Sequence, residues 1–413
     1  MIFDIGESEK YYVEKINIYG NNVTREEVIR NNLIVDEGDA FNELLQTKTI
    51  NNIKSLNFFS KVDSEVVNGT QDNTKIVNIT VEEKATGEIM AGAGLGTEGG
   101  SVVFGVSENN FLGRGIEFSS DLSISTETLK GLISINNPNY KGSNRSLNTS
   151  LESTVTDRLT NYGYKSNKTG FAIGSGFEFY DDLYLITGIS SYVEKLETDS
   201  TASASLKKQE GSYFDTYFNY TFNYDKRDQK YKSSDGYISS FSQKVPLISE
   251  NYTLTNKYNY KLYNKWLNEN IASFAFYAQA TNSLVGKDVK LSDRLFIPPS
   301  KLRGFETGKV GPMDGLDYIG GNYATAINIS TTLPQILPSF QNTNFSIFYD
   351  AANVWSVDYD STISQGSKIR SSVGLAVDFF TAVGPLNFSL SEVITKGKND
   401  VAESFRFNLG TTF

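Results

Sequence analysis

The sequence predicts a mainly β protein, in which one small α/β domain precedes a 16-stranded antiparallel transmembrane β-barrel. Two observations carry this prediction. Apolar residues follow mixed strand and helix periods as far as residue 84, and from residue 88 onward they alternate with a period of two. In addition, no run approaches the ~18 consecutive apolar residues of a membrane-spanning helix, whereas a membrane-spanning strand needs only one apolar face.

The small domain is predicted to begin with a strand and a helix. Residues Val13–Tyr19 alternate between apolar and polar side chains, as in a half-buried strand, and a turn follows at Gly20. Thr24 then stands where a helix N-cap belongs, and Glu26 and Glu27 occupy the first turn, where the helix dipole favours anions. We therefore expect Thr24 to cap the first helix.

A second helix and two strands complete the predicted domain. Apolar residues recur at helical spacing after Asp39, and the strands Phe59–Val67 and Lys75–Glu83 follow. The order β-α-α-β-β predicts two helices on one face of a three-stranded sheet, with at least one sheet edge unpaired. The apolar stripe of the second helix comprises Phe41, Leu44, Leu45, Thr49, Ile50, Ile53 and Leu56.

The barrel prediction depends on strand-like alternation. In Tyr213–Tyr224 the even positions are largely aromatic, and most odd positions are polar. About sixteen such segments can be placed, each near the ~9–11 residues of a tilted membrane strand. A soluble all-β fold shares the alternation. The aromatic face, the alternation of short turns with long polar loops such as Glu197–Gly211, and the absence of helical periods favour the barrel.

Composition excludes several classes of function. The chain has no Cys and no His, which removes thiol nucleophiles, zinc and haem-type ligation, and imidazole acid–base chemistry. Its net charge is −10 and it has no basic run, so we expect no nucleic-acid partner. Gly94–Gly99 matches GxGxxG, but no βαβ unit surrounds it. We predict no enzymatic activity, no catalytic residues, and no metal or cofactor.

Several short motifs occur in order along the chain. They are Tyr19-Gly20-Asn21, Ser55–Phe59, Leu302–Phe305, Gly311-Pro312, Ile319–Asn322, Tyr349–Trp355, Gly384–Leu386 and Phe405–Phe413. Each is weak alone, but their order and spacing resemble those of the outer-membrane β-barrel assembly factors, the BamA family. The resemblance implies that residues 11–87 form a POTRA domain and that residues 88–413 form a sixteen-stranded barrel.

Two positions depart from the family pattern. Pro298–Lys301 stands where relatives usually carry Gly-Gly before the tetrapeptide Leu302–Phe305, and Ser330 stands where many relatives carry Glu. The resemblance therefore leaves Asp350 as the acidic partner that we expect for the loop arginine, Arg303. It speaks against a network that contains several carboxylates.

The first ten residues bear on domain organisation. Residues 1–10 resemble the closing strand of a preceding POTRA domain, and they lack the basic and apolar regions of a secretory signal. We expect the chain to be the C-terminal portion of a longer exported protein with further POTRA modules. Relatives with a single POTRA module exist, so a natural short form is the alternative.

The resemblance also implies a function. The chain is expected to be the central component of the outer-membrane β-barrel assembly machinery, with its barrel in the outer membrane and its POTRA domain in the periplasm. Its partners would be unfolded outer-membrane β-barrel proteins, periplasmic accessory lipoproteins of the complex, and outer-membrane lipid. TamA-like or two-partner-secretion-type translocation of specific clients is the alternative. A diffusion porin would lack the POTRA domain and the tetrapeptide.

The first candidate site is a loop lock. Phe345, Ile347 and Tyr349 share one face of a predicted strand, so Asp350 faces the lumen. A buried arginine is costly unless a carboxylate accepts its hydrogen bonds, and the resulting pair would hold the loop in one pose. The alternative is an arginine in an exposed loop. The lock is predicted to comprise Arg303, Gly304, Phe305 and Asp350.

The second candidate site is the seam where the first and last strands close the barrel. The first strand, about Glu88–Leu95, is rich in glycine, which weakens a strand interior. A weak seam can open and template an incoming strand by β-augmentation, whereas the alternative is that these glycines only relieve crowding. The predicted residues are Ile89, Gly92, Gly94 and Gly96 on the first strand, and Phe405, Phe407, Leu409, Gly410 and Phe413 as the C-terminal signal.

Two of these features have simpler interpretations. The aromatic C-terminal segment can be a sorting signal of barrel proteins, a lipid-facing last strand, or both. The unpaired edge of the POTRA sheet can dock unfolded clients or accessory lipoproteins through backbone pairing. Alternatively, the POTRA domain acts only as a hinge or spacer.

Overall fold

The computed structural model describes residues 9–230, 232–266, 270–333, 343–364, 368–381 and 384–410. The chain divides into two compact units. The first contains residues up to Ile89 together with Val106–Ser120 and Ser134–Leu147, and the second contains Met90–Gly105, Asp121–Ile133 and the residues from Asn148 onward. No helix within the described ranges is long and apolar enough to cross a membrane.

The N-terminal elements follow the predicted order β-α-α-β-β. They are β1 (Tyr12–Tyr19), α1 (Glu26–Arg30), α2 (Glu43–Ser55), β2 (Phe59–Asn68) and β3 (Thr74–Glu83). In the sheet, β3 lies between β1, to which it runs parallel, and β2, to which it runs antiparallel. The helices and the sheet enclose a core of Val13, Ile16, Val28, Ile29, Val35, Ile53, Phe58, Phe59, Val62, Val77, Ile79 and Val81.

The predicted N-cap at Thr24 is wrong. The residue that precedes α1 is Arg25, and no side chain caps this five-residue helix. The Thr24 hydroxyl instead accepts a hydrogen bond from Asn110 Nδ2 at 2.8 Å, and its backbone N–H donates to the Glu83 carboxylate. Tertiary partners therefore override the local capping preference. By contrast, Asn42 caps α2 by accepting from two backbone N–H groups of the first turn.

Glu14 gives the small domain a pH-dependent stability. Its carboxylate accepts hydrogen bonds from the Thr74 hydroxyl, the Thr70 hydroxyl and the Thr70 N–H. These bonds lower the pKa of Glu14 to about 2. A carboxyl whose pKa is depressed by folding stabilises the fold above its ordinary pKa, and this contribution is lost as the pH falls. Between pH 4.5 and about 2, the melting temperature of the domain should therefore fall more steeply in the original chain than in the Glu14→Gln variant. Calorimetry of each whole chain in detergent measures this temperature. Parallel curves for the two proteins would contradict this prediction.

Sixteen of the later strands form one closed antiparallel barrel, which confirms the predicted mainly β architecture. In the barrel each strand pairs with its neighbours in chain order, and β21 pairs with β4 to close it. The strands are β4 (Gly87–Gly96), β5 (Gly99–Glu108), β6 (Glu117–Ser125), β7 (Thr128–Asn137), β8 (Ser146–Arg158), β9 (Tyr164–Tyr180), β10 (Leu183–Thr198), β11 (Gly211–Asp225), β12 (Gly236–Ile248), β13 (Thr253–Trp266), β14 (Asn270–Ser283), β17 (Tyr323–Thr332), β18 (Thr343–Trp355), β19 (Arg370–Thr381), β20 (Gly384–Thr395) and β21 (Phe405–Leu409).

The two faces of the barrel wall differ as the alternation predicts. On β11, Phe214 is 49% exposed on the outer face, whereas its neighbour Asp215 is 2% exposed on the inner face. On β18, Ile347 and Tyr349 are exposed, and Asp350 between β17 and β19 is fully buried. An apolar outer face and a polar inner face are typical of a barrel that stands in lipid.

The connection between β14 and β17 carries the tetrapeptide Leu302–Phe305. We call residues 284–322, between β14 and β17, the long loop; it contains a small two-stranded sheet of β15 (Met313–Asp314) and β16 (Asp317–Tyr318). Two helical turns, α3 (Leu159–Tyr162) and α4 (Ala204–Lys207), interrupt other connections, although the sequence showed no helical period there. These four-residue helices are too short for a period of 3.6 to be recognised.

Candidate functional site

The backbone of the tetrapeptide Leu302–Phe305 lies very close to the inner wall of the barrel at Gly304. Gly304 adopts φ +87°, and a Cβ at this position would lie 3.0 Å from the Cβ of Ser372 and 3.2 Å from that of Ser391. Only glycine combines this conformation with such a close approach to the wall. The Ser372 hydroxyl also donates a hydrogen bond to the Arg303 carbonyl at 2.5 Å. Strands β19 and β20 therefore hold the backbone of the tetrapeptide.

The structure brings Arg303 and Asp350 together. Arg303 Nε donates to Asp350 Oδ2 at 2.7 Å and Nη2 donates to Oδ1 at 2.8 Å, which is the two-pronged geometry of a strong guanidinium–carboxylate pair. The Arg303 N–H adds a third bond to Oδ2 at 3.1 Å. The guanidinium also lies 3.4 Å from the centroid of the Phe348 ring, in a cation–π contact. Asp350 is fully buried, so it depends on these donors.

Asn328 completes the environment of the carboxylate. It is the cross-strand partner of Asp350, and its Nδ2 donates to Asp350 Oδ1 at 2.8 Å and to the Lys301 carbonyl at 2.9 Å. Ser330, where relatives often carry Glu, bonds instead to the Ser273 hydroxyl on β14 at 2.8 Å. On β17, where relatives often carry a second carboxylate, the amide of Asn328 therefore supports the ion pair.

Phe305 anchors the tetrapeptide through apolar contact. Its side chain is 1% exposed. Small residues on the facing strands leave room for the ring, and burial of a phenylalanine contributes about 2–3 kcal/mol. The surrounding cluster consists of Tyr277, Leu295, Ile297, Leu302, Val310, Ala324, Ala326, Ala352 and Val354.

The seam is sparsely paired between β4 and the described part of the last strand, which ends at residue 410. Within the described residues, β4 and β21 share two register pairs, Gly96 with Asn408 and Leu95 with Leu409. The Thr97 N–H donates to the Phe407 carbonyl at 3.1 Å, one residue beyond β4. These described contacts lie at the end of β4 that leads into the loop before β5.

Glycines permit the close approach of the two edge strands. A Cβ on Gly96 would lie 2.7 Å from the Phe407 carbonyl oxygen, and a Cβ on Gly410 would lie 2.4 Å from the Ala93 carbonyl oxygen. Gly410 also has φ +83°, which turns the chain at the end of β21. The glycines therefore fit a crowded closure, as in the alternative interpretation. Of the other predicted seam residues, Ile89 is exposed and Gly94 is buried.

The long loop bridges the seam with side chains. Arg406 on β21 donates to the Phe305 carbonyl at 2.5 Å and forms an ion pair with Glu98, which follows β4, at 3.4 Å. The Thr307 hydroxyl of the long loop donates to the same Glu98 carboxylate. A single carboxylate thus connects the first strand, the last strand and the loop.

The last strand presents its aromatic residues on one face. Phe405 is exposed, and its ring stacks on those of Phe407 and Phe388 at 6.1 and 6.2 Å between centroids. Leu409 is partly exposed at the seam. Phe413, the last residue of the predicted C-terminal signal, lies outside the described residues.

Comparison with known families decides the classification of the chain. The Omp85 superfamily domain matches residues 110–413, and a POTRA domain, described as a surface antigen variable number repeat, matches residues 11–84. The chain belongs to the Omp85 superfamily. The resemblance to the BamA family that the motifs indicated is thereby confirmed, with one POTRA domain ahead of the barrel.

Individual relatives agree with this assignment. The Omp85 chain is 24% identical to the outer membrane protein assembly factor BamA of Neorickettsia risticii over its whole length, which covers 56% of that protein. It is likewise 24% identical to BamA of Neisseria meningitidis, of which it covers 58%. The chain thus spans little more than half the length of these curated relatives. BamA from Haemophilus ducreyi lacking POTRA domains 1–3 has the same fold, with a TM-score of 0.90 at 23% identity over 98% of this chain and 85% of that one.

The sequence did not indicate a second ion pair, which contacts the long loop at Gly311. Asp400, in the connection between β20 and β21, is nearly fully buried and pairs with the buried Arg370 at 2.7 Å. It also accepts a hydrogen bond from the Gly311 N–H at 3.1 Å. The Gly-Pro motif at residue 311 was recognised from the sequence, but nothing in the pattern indicated that a carboxylate 89 residues later would bind it.

The edges of the POTRA sheet are unequal in this Omp85 chain. The edge of β1 is covered, because the Val13 N–H donates to the Asp39 carbonyl and the Ile16 N–H donates to the Glu37 carboxylate. Arg30 donates in turn to the Ile16 carbonyl. Among the described residues, no strand pairs with the outer edge of β2. Backbone pairing with another chain is therefore open on β2.

Proposed function

We propose that this chain folds and inserts client β-barrel proteins into the outer membrane, as the central component of the outer-membrane β-barrel assembly machinery. Residues 88–413 span the outer membrane and residues 11–87 form the POTRA domain in the periplasm. The segment 1–10, which resembles the closing strand of a preceding POTRA domain, lies almost entirely outside the described residues. The partners are unfolded outer-membrane β-barrel proteins, periplasmic accessory lipoproteins and outer-membrane lipid. Relatives named as assembly factors support this proposal.

The observation that carries the proposal is the small number of register pairs between β4 and the described part of β21. Within the described residues, β4 and β21 share two register pairs, whereas β10 and β11 share fourteen. Because each backbone hydrogen bond contributes about 1 kcal/mol, an edge with few bonds separates more readily than an ordinary strand pair. The N–H and C=O groups that separation exposes are a template for the strand of a client.

The loop lock regulates this seam. Arg303 and Asp350 hold the tetrapeptide against the wall, and the carbonyl of the adjacent Phe305 binds Arg406 on the last strand. Release of the lock would remove a partner from Arg406 and weaken the bridge to Glu98. The pose of the loop and the state of the seam are therefore coupled.

The seam bridge gives a prediction of its own. Glu98→Gln keeps a hydrogen-bond acceptor but removes the charge that pairs with Arg406. A partly exposed ion pair contributes up to about 1 kcal/mol, so the open state of the seam should become roughly fivefold more populated. Hydrogen exchange at the Thr97 amide, which bonds across the seam, measures this change by mass spectrometry. Glu88→Gln on the exposed part of β4 is the matched control and should leave the exchange rate unaltered.

The POTRA domain offers clients and accessory proteins a docking edge on β2. This part of the proposal depends on the covered edge of β1 and the open edge of β2. An added strand would gain backbone hydrogen bonds without any requirement for a particular sequence, which suits a factor with many clients. Single proline substitutions at alternate positions of β2 should weaken the binding of an unfolded barrel fragment. Single proline substitutions at alternate positions of β1 should weaken this binding less.

The direct test is depletion of the full-length protein from its native cell. Folded outer-membrane barrels are then counted by their heat-modifiable mobility on gels. We expect many unrelated barrels to decline together. If a single secreted or surface protein disappears while other barrels persist, the chain is a dedicated transporter of the TamA-like or two-partner-secretion kind, and templating at the seam loses its main support.

A further inference from the structure

A buried lysine lies in the long loop, away from the tetrapeptide. The side chain of Lys290 is 1% exposed. Its Nζ lies 2.9 Å from Glu194 Oε2 and 2.6 Å from Asp215 Oδ2, and 3.6 Å from Asp293 Oδ2 in the same loop. The ammonium also lies 4.8 Å from the centroid of the Tyr213 ring. The loop lock does not use any of these groups.

The partners of Lys290 belong to a continuous stretch of the barrel wall. Glu194 is on β10 and Asp215 is on β11, and both are buried on the inner face. The Ser166 hydroxyl on β9 donates to Glu194 Oε1 at 2.6 Å, so three consecutive strands contribute. The Leu291 N–H, next in the loop, donates to Gln209 Oε1 at 2.9 Å. The leading part of the long loop, residues 289–294, is thus attached at β9–β11 through Lys290 and Leu291. Val289 and Arg294, at the two ends of this segment, bind Asp358 in the connection between β18 and β19.

This stretch of wall is distinct from the one that binds Arg303. In the barrel order, β12, β13, β14 and β17 separate β11 from β18, which carries Asp350. Arg303 lies thirteen positions after Lys290, and an extended chain of that length can span up to about 43 Å at ~3.3 Å per position. One loop is therefore held by cations at two separate places on the inner face.

The two attachments differ in burial and in charge. The side chain of Arg303 is 22% exposed and has one carboxylate partner. The side chain of Lys290 is 1% exposed and has two nearly as buried carboxylate partners in the wall, together with Asp293 in its own loop. Removing one member of a fully buried ion pair leaves an uncompensated charge, which costs more than breaking a partly hydrated pair. Lys290 is therefore the firmer of the two attachments.

We propose that Lys290 is a second positioning residue of the long loop, which fixes residues 289–294 to β9–β11 independently of the Arg303–Asp350 lock. The loop then has a base, residues 289–294, that stays fixed, and a tip, the tetrapeptide Leu302–Phe305, that can be released. When the lock opens, the tip leaves the wall while the base stays in place. The inference extends the proposed function by giving the order in which the loop is released, but its test reads the loop position and does not require assembly activity.

Cysteine accessibility tests the proposal, because the chain contains no cysteine. Ser292→Cys reports on the base, since the Ser292 hydroxyl is buried, and Ser391→Cys reports on the tip, since Ser391 lies beneath Gly304. Each reporter is placed in the full chain, in outer-membrane vesicles, and labelled with a water-soluble maleimide. Each is combined with Lys290→Met, Arg303→Met or the matched control Lys287→Met, which changes an exposed lysine of the same loop.

We expect a double dissociation between the reporters. Lys290→Met should raise the labelling rate at the Ser292→Cys site by about tenfold or more and leave that at the Ser391→Cys site unaltered. Arg303→Met should do the reverse, and Lys287→Met should change neither rate. The proposal is overturned if the Ser292→Cys site is labelled as slowly in Lys290→Met as in the Lys287→Met control. It is also overturned if either Lys290→Met or Arg303→Met raises the labelling rate at both cysteine sites.

A second variant keeps the test decisive if Lys290→Met fails to fold. The quadruple variant Lys290→Met, Glu194→Gln, Asp215→Asn, Asp293→Asn removes the cation together with the three carboxylate charges that it pairs with, so none of these groups is left as a buried charge without its partner. Its folded state is verified by heat-modifiable mobility. Fast labelling at the base and slow labelling at the tip support the proposal, whereas slow labelling at both sites shows that packing alone holds the base.

Discussion

Asp350→Asn should destabilise the barrel and sharply reduce assembly activity. The amide cannot accept the two charged hydrogen bonds of Arg303 as a carboxylate does, and its NH₂ group would face the donors of Arg303 and Asn328. Breaking a buried ion pair typically costs 3–5 kcal/mol, and the partial exposure of Arg303 reduces our expectation to roughly 2–3 kcal/mol. The melting temperature of the folded band on a semi-native gel measures the stability, and folding of a client barrel in vesicles measures the activity.

A double-mutant cycle separates the pair from its surroundings. Arg303→Met, Asp350→Asn and the combined variant are compared with the original chain, because only the cycle isolates the interaction energy. Asp235→Asn, in an exposed turn, is the matched control and should be neutral. If Asp350→Asn leaves both the stability and the activity at the level of this control, the lock is not a regulatory element.

A disulfide across the seam should abolish assembly activity in a reversible manner. Leu95 and Leu409 are register partners on β4 and β21, and directly opposite residues lie about 4.5–5.5 Å apart, which is within disulfide range. The variant Leu95→Cys, Leu409→Cys contains no other cysteine, so the bond formed is unambiguous. We expect client insertion to fall to the rate of empty vesicles under oxidising conditions and to recover when the bond is reduced.

The control for this experiment is the same bond at an ordinary strand pair. Ile189 and Phe218 are register partners on β10 and β11, and both are exposed on the outer face. Ile189→Cys, Phe218→Cys should retain activity when oxidised. Full activity of the oxidised seam variant would mean that the seam stays closed during insertion, and another edge or the bilayer itself would then have to guide the client.

The barrel and the Arg303–Asp350 pair could be predicted from the sequence for different reasons. Strand alternation is a local property with a period of two, so it identifies the wall and places Asp350 on its inner face. The pairing with Arg303 came from the resemblance of the motifs, because 47 residues separate the two side chains. The supporting amide of Asn328 follows from strand register, which alternation alone does not give.

Long-range polar contacts could not be predicted. Glu98 and Arg406 are at opposite ends of the barrel sequence, and they meet only because the sheet closes on itself. Lys290 resembles any other lysine of a polar loop until the strands that carry Glu194 and Asp215 are in place. Thr24 shows the opposite error, since a strong local preference was overridden by a distant asparagine.

The covered edge of β1 limits how many chains the POTRA sheet can accept. A sheet with two free edges can add a strand on each side and so continue into an open-ended stack. Here Asp39, Glu37 and Arg30 occupy backbone groups of Val13 and Ile16 on the β1 side, so we expect the sheet to add one strand, on β2. A titration with a strand-forming peptide should therefore saturate at a single equivalent, and the same geometry discourages polymerisation of the domain with copies of itself.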